Sequence, residues 1–141
     1  MSYGVNRIFL LGRIGADPML HTSSTGFQCV SASLATTDAW RNKAGEKQER
    51  TQWHRVVFLS RLAEVAMQHL KKGSRIHVEG KLNHRTYLDK SGDKRIISEV
   101  IVLSVELLGE PMMRTENETT PPLLEDVPQS EEVYPETGDL L

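Results

Sequence analysis

Apolar residues in this chain recur mainly at every second position, the period of half-buried strands. Val5 to Ile14 is β-branched and aromatic, with Arg7 and Arg13 breaking the apolar run and Gly12 and Gly15 marking a bulge or bend; it is the predicted first strand. A short segment after Asp17-Pro18 leads to Ser23-Ser24-Thr25-Gly26, a cluster with turn chemistry, and Phe27 to Thr37 then alternates small and apolar side chains as a second strand. Ala39 to Arg50 reads AWRNKAGEKQER, polar around Gly45 with a single indole, and is predicted to be a long exposed hairpin loop before a third strand, Thr51 to Leu59.

The period changes once. In Ser60 to Lys72 the residues Leu62, Val65, Ala66 and Leu70 recur at helical spacing along one face. The flanks agree with one amphipathic helix: Ser60 as cap, Glu64 near the positive end, Lys71 and Lys72 near the negative end, and Gly73 as a left-handed stop. Two long strands follow, Ser74 to Leu88 and Lys94 to Leu108, joined by the compact hairpin Asp89-Lys90-Ser91-Gly92-Asp93. The predicted fold class is all-β: a five-stranded OB-fold Greek-key barrel with one α-helix between strands three and four.

Composition cuts this picture at Pro111. Residues 1–110 hold 16 of the 17 Lys and Arg and 11 of the 19 Asp and Glu, a net charge of +5, whereas residues 111–141 hold one Arg against eight acids, a net of −7. The second stretch, rich in Pro, Glu, Thr and Ser, has too few apolar residues to offset the entropy of ordering its backbone, and is predicted to be a disordered acidic tail. The domains are therefore 1–110 and 111–141. A basic body joined to an acidic tail fits a polyanion-binding domain whose tail competes with the ligand or recruits another protein; it equally fits a solvated domain with a solubilising tail. Uninterrupted apolar runs such as Ile8 to Leu11 are a handful of residues, against about 20 for a bilayer span, so a cytoplasmic, soluble protein is expected.

Chemistry narrows the classes further. Cys29 is the one cysteine and has no companions for a disulfide or a zinc site, so a buried thiol is expected. His21, His54, His69, His77 and His84 show no HxxxH or HExxH spacing, and the chain has no phosphate-binding glycine loop or nucleophile elbow. No catalytic residue, metal or cofactor is expected, and the chain is read as not an enzyme.

The informative positions lie on the strands. In the fourth, Ile76, Val78, Gly80 and Leu82 point one way, and Arg75, His77, Glu79, Lys81, Asn83, Arg85 and Tyr87 point the other. In the third, Trp53, Arg55, Val57 and Leu59 share one side, and Gln52, His54, Val56 and Phe58 the opposite one. The hairpin loop adds Trp40, Arg41 and Lys43. Single-stranded nucleic acid asks for this mixture, because phosphates need cations along a track and unpaired bases offer flat faces, each stacked base being worth roughly 1 to 3 kcal/mol. By position alone Trp53 fits core as well as stacking, and Tyr87 fits a cross-strand cap; Trp40, in a polar loop, is harder to explain by packing.

Taken in order, Gly4-Val5-Asn6, Gly15 through Asp17-Pro18, Leu34-Ala35-Thr36 to Trp40-Arg41, Thr51-Gln52-Trp53-His54-Arg55-Val56-Val57, Leu62-Ala63-Glu64-Val65-Ala66, LKKGS from Leu70 to Ser74, Val78-Glu79-Gly80 and Ser91-Gly92 resemble the bacterial single-stranded DNA-binding protein family, over residues 2 to about 108. The resemblance implies a homotetramer of OB-folds that wraps single-stranded DNA without sequence preference in replication, recombination and repair, located in the cytoplasm with the nucleoid. It implies stacking by Trp40, Trp53 and Tyr87, with Leu59 where the family's fourth stacking ring stands, and Phe58 turned to the other side. It implies phosphate contacts from Arg7, Lys43, Arg55, Arg61, Lys72 and Arg85, and a subunit contact at His54. The tail departs from the family's Pro-Phe tip, ending in Asp139, Leu140 and Leu141, a carboxylate beside two leucines expected to enter a pocket on replication and repair proteins. The alternative reading is a primosomal OB-fold module that bridges replication-restart proteins; a nuclease is the remaining, remote rival.

Overall fold

The computed structural model describes residues 3–109. Six strands and one helix follow in the order β1 (Ile8–Ile14), β2 (Met19–Thr22), β3 (Gln28–Arg41), β4 (Lys47–Leu59), α1 (Arg61–His69), β5 (Arg75–Leu88) and β6 (Lys94–Leu107). The strands neighbour one another as β1-β5-β6-β4-β3-β2, and β1 also pairs with β3 through Arg13↔Ala35 and Ile14↔Leu34. That second pairing closes β1, β5, β6, β4 and β3 into an all-β, five-stranded barrel, consistent with an OB-fold.

The helix does not stand between the third and fourth strands, as the sequence suggested, but after the fourth. The difference is β2, four exposed residues on the outer edge of β3. With no side chain buried, β2 carries no alternating apolar signal, and only backbone pairing reveals it. The segment read as a hairpin loop is also mostly strand: β3 and β4 stay paired from Cys29↔Leu59 to Arg41↔Lys47. Beyond the barrel this two-stranded ribbon has water on both sides, so its side chains show none of the contrast that makes a strand legible.

Inside the barrel, Val30, Ala32, Leu34, Val56, Phe58, Ile76 and Val78 are fully buried, and α1 adds Ala63 and Ala66 to the same core, with Leu70 just past its end. Two glycines are required by close approach. A Cβ on Gly12 would collide with the Ala35 carbonyl oxygen where β1 meets β3, and one on Gly80 with the Ile101 carbonyl oxygen, beside a register shift at Glu79/Gly80. Gly12 therefore marks barrel closure, not a bulge.

The helix ends differ from the expected caps. Ser60 makes no side-chain capping bond; it stands at φ 52°, ψ −116°, and its carbonyl oxygen accepts from the Ala63 and Glu64 amides. At the other end the helix stops at His69. Gly73 has φ 91° as foreseen, but within a separate turn, Lys71 to Ser74, in which the Ser74 hydroxyl accepts from the Lys71 amide.

Candidate nucleic-acid interface

Strand alternation decides which side chains share the outer surface. The registers of β3 with β4, β4 with β6 and β5 with β6 put Ala35, Trp53, Arg55, Glu99, Arg85 and Tyr87 on one continuous face of the sheet. Trp40 pairs with Gln48, five positions along the ribbon from the Ala35↔Trp53 pair, so the two indoles lie on opposite faces of the ribbon. Trp40 is 48% exposed. Trp53 is half-buried, and its Nε1–H is buried without a hydrogen-bond partner in the described chain, a state that costs roughly 1 to 3 kcal/mol. Tyr87 is half-buried and pairs directly with Arg95 across the β5–β6 hairpin.

Arg55 and Arg85 do not stand as free cations. Arg55 Nε lies 3.0 Å from Glu99 Oε2 and Arg85 Nε 2.9 Å from Glu99 Oε1, with side-chain exposures of 8%, 4% and 0% for Arg55, Arg85 and Glu99. Arg55 also donates to Ser31 Oγ at 3.3 Å. The triad stands where β4 and β6 part company: their backbone pairing covers Val56↔Val100 and Val57↔Ile101, and Arg55 and Glu99 are the next residues out. Charges in a strand read as a wet face; here their cross-strand partner is 44 residues away from Arg55, beyond local pattern. Both guanidiniums are thus held by Glu99 within the chain, and their reading as phosphate contacts stays an expectation.

Leu59 is 0% exposed and packs with Cys29, Val57 and Ile101, with Phe27 and Leu103 against them, and its place beside a base stays an expectation. Phe58 does point to the other side, into the barrel core. Cys29 is the buried thiol anticipated, and burial pushes its pKa up to about 11.

The remaining cations are outside. Arg7 Nε sits 3.5 Å from Glu79 Oε1, half-exposed. Lys43 is exposed in the turn at the ribbon tip, where Asn42 Oδ1 accepts from the Ala44 and Glu46 amides. Arg61 is exposed at the start of α1, beside a shallow hollow lined by Phe27, Gln28 and Glu64. Lys72 is exposed, and its backbone amide donates to Asp17 Oδ1 at 2.9 Å. Two further arginines join them. Arg95 stands between Tyr87 and the β4 side of the sheet, its guanidinium 2.9 Å from Asp89 Oδ2, and the bond holds the Asp89 carboxyl below its usual range. Arg50 lies exposed on the Trp40 face of the ribbon, across from Asp38. Reading Ala39 to Arg50 as paired strands would have placed Arg50 there.

His54 Nε2 lies 2.8 Å from Thr36 Oγ1, and partial burial lowers the imidazole pKa. Its place beside a second subunit stays an expectation. Asp139, Leu140 and Leu141 lie outside the described residues.

Chemically, the arrangement offers flat rings beside cations on two surfaces, with no group of three or more His, Cys, Asp or Glu side chains able to hold a metal among the described residues. Comparison with known proteins agrees with that reading. Residues 5–108 match the model of the Single-strand binding protein family. The chain is 45% identical over 107 residues to Single-stranded DNA-binding protein 1 of Xylella fastidiosa, covering 75% of this chain and 79% of that one. Among solved structures it resembles the Plasmodium falciparum SSB in complex with ssDNA, with a TM-score of 0.70 and 28% identity over 77% of this chain and 99% of that chain. It also resembles a deletion mutant of the single-stranded DNA binding protein from Thermus aquaticus, with a TM-score of 0.66 and 33% identity over 77% of this chain and 53% of that chain.

Proposed function

Because the chain belongs to the single-strand binding protein family, we propose that it holds unpaired DNA without reading its sequence, in replication, recombination and repair. Bases stack on Trp40, Trp53 and Tyr87, while phosphates are neutralised by exposed cations, among them Lys43, Arg61, Lys72 and Arg95. Stacking needs only a π-face, which every base has, so the contact tolerates any sequence. The observation that carries the reading is Trp40. An indole 48% exposed on a ribbon that has left the barrel contributes little to the core, yet it presents a flat ring beside positive charge.

Arg7 belongs to the same cationic set, with its charge shared by Glu79. Assembly into a homotetramer of OB-fold barrels, with His54 near a subunit contact, and docking of the acidic tail on partner proteins through Asp139, Leu140 and Leu141 complete the proposal. Burial on assembly also supplies a route to satisfy Trp53 Nε1.

Counterion release tests the electrostatic half. For a single strand the slope of log K against log salt is about −0.7 per phosphate neutralised. Binding of oligo-dT is expected to weaken steeply as salt rises, with a slope near −3 or steeper if four or more cations act together, and duplex of equal length should bind far more weakly. A slope near zero, or equal affinity for duplex, contradicts the proposal.

A further inference from the structure

Where β4 and β6 part, the outer face of the sheet changes character in three steps. Inward lies the buried cluster of Cys29, Val57, Leu59 and Ile101. At the fork stand Arg55, Arg85 and Glu99. Two residues further out on each arm come the rings, Trp53 on the β3–β4 ribbon and Tyr87 on the β5–β6 hairpin. Among the described residues the backbone of β6 pairs with β4 only at Val56 and Val57, so past the fork the two arms have no backbone bond to each other.

Glu99 makes the join instead. Its fully buried carboxylate takes one arm on each oxygen: Arg55 of the ribbon on Oε2 at 3.0 Å, and Arg85 of the hairpin on Oε1 at 2.9 Å. Asn83 Nδ2, from the hairpin as well, lies 3.5 Å from Oε1, and Arg55 continues to Ser31 Oγ on β3. Charge-assisted bonds of this kind are directional and about twice as strong as neutral ones. Apolar packing at the same place would resist separation of the arms but let them slide; two directed bonds from one carboxylate oppose both motions. Each ring therefore stands two residues from a guanidinium that Glu99 holds.

We propose that Glu99 is a positioning residue for the DNA surface: buried and touching no DNA itself, it sets the spacing between Trp53 and Tyr87 by holding ribbon and hairpin together at the fork. This rests on the proposed function and adds what aligns its rings. Rings on two loose arms would give up that freedom when one strand engaged both, and binding would be weaker for it; rings held in place beforehand lose nothing.

Glu99→Asp keeps the charge but is shorter by one methylene, so it cannot hold both guanidiniums where they stand. Affinity of the full chain is read from the anisotropy of fluorescein-labelled oligo-dT, long enough that Tyr87→Ala alone weakens its binding, with circular dichroism reporting that each variant is folded. Glu99→Asp is expected to weaken binding by about fivefold, the lower end of one lost stack, with an unchanged salt slope. Within Tyr87→Ala, where that ring is no longer there to misplace, the same change should cost less than about twofold, since coupled residues are not additive. A side chain that only stabilises the fold would give the same loss in both backgrounds. Arg85→Lys keeps the charge at the fork without the fixed geometry of the guanidinium. It is expected to show the same overlap with Tyr87→Ala, and it carries the test if Glu99→Asp does not fold. Equal losses with and without Tyr87 overturn the positioning role and leave the proposed function standing. So does tighter binding with a steeper salt slope, which would mean that Glu99 masks cations from phosphate. If neither Trp53→Ala nor Tyr87→Ala weakens oligo-dT binding, stacking itself fails, and the positioning role with it.

Discussion

Ser60 shows how a single backbone angle escapes a reading based on residue type. Its hydroxyl suits a helix cap, and the sequence places it there, yet the chain turns from β4 into α1 at φ 52°, where an L side chain is strained and glycine is not. Such strain costs of order 1 to 3 kcal/mol. Ser60→Gly is expected to raise the free energy of unfolding by about 1 kcal/mol, after allowing for the extra freedom glycine gains in the unfolded chain. Urea unfolding checks this, and an unchanged or lower midpoint would show that the turn holds no strain. Other single residues were legible where local chemistry decides them: the Gly26 turn, the positive φ of Gly73 and the buried Cys29 thiol. The full burial of Leu59 was not, because which side of a strand is wet depends on what packs over it.

At the scale of elements, the barrel strands and the helix follow from their periods of two and 3.6. The ribbon, with both faces in water, and β2, with no buried residue, lack the contrast from which period is read. The join between the ribbon and the β5–β6 hairpin is likewise hidden, because it runs through side chains. Backbone pairing of β4 to β6 ends at Val56, and Glu99 carries the connection on to Arg55 and Arg85, pinning three strands at the fork. Removing one partner from such a buried group leaves charge uncompensated, at a cost of about 3 to 5 kcal/mol. Glu99→Gln should therefore lower the unfolding free energy by about that amount in a denaturant titration. A loss under about 1 kcal/mol would mean that the arginines are solvated instead of bound up with Glu99.

For the whole molecule, the division of charge was readable from composition: a body of net +5 and a remaining stretch of net −7. Composition could not show that the body's cations split between two uses, some neutralised to hold strands together and others left beside rings. The account therefore rests on indoles placed where unpaired bases reach them. Its most direct test is the intrinsic tryptophan fluorescence of the full chain titrated with oligo-dT at low salt. Strong saturable quenching, reversed by added salt, is the predicted result. Emission unchanged at saturating oligo-dT would contradict it.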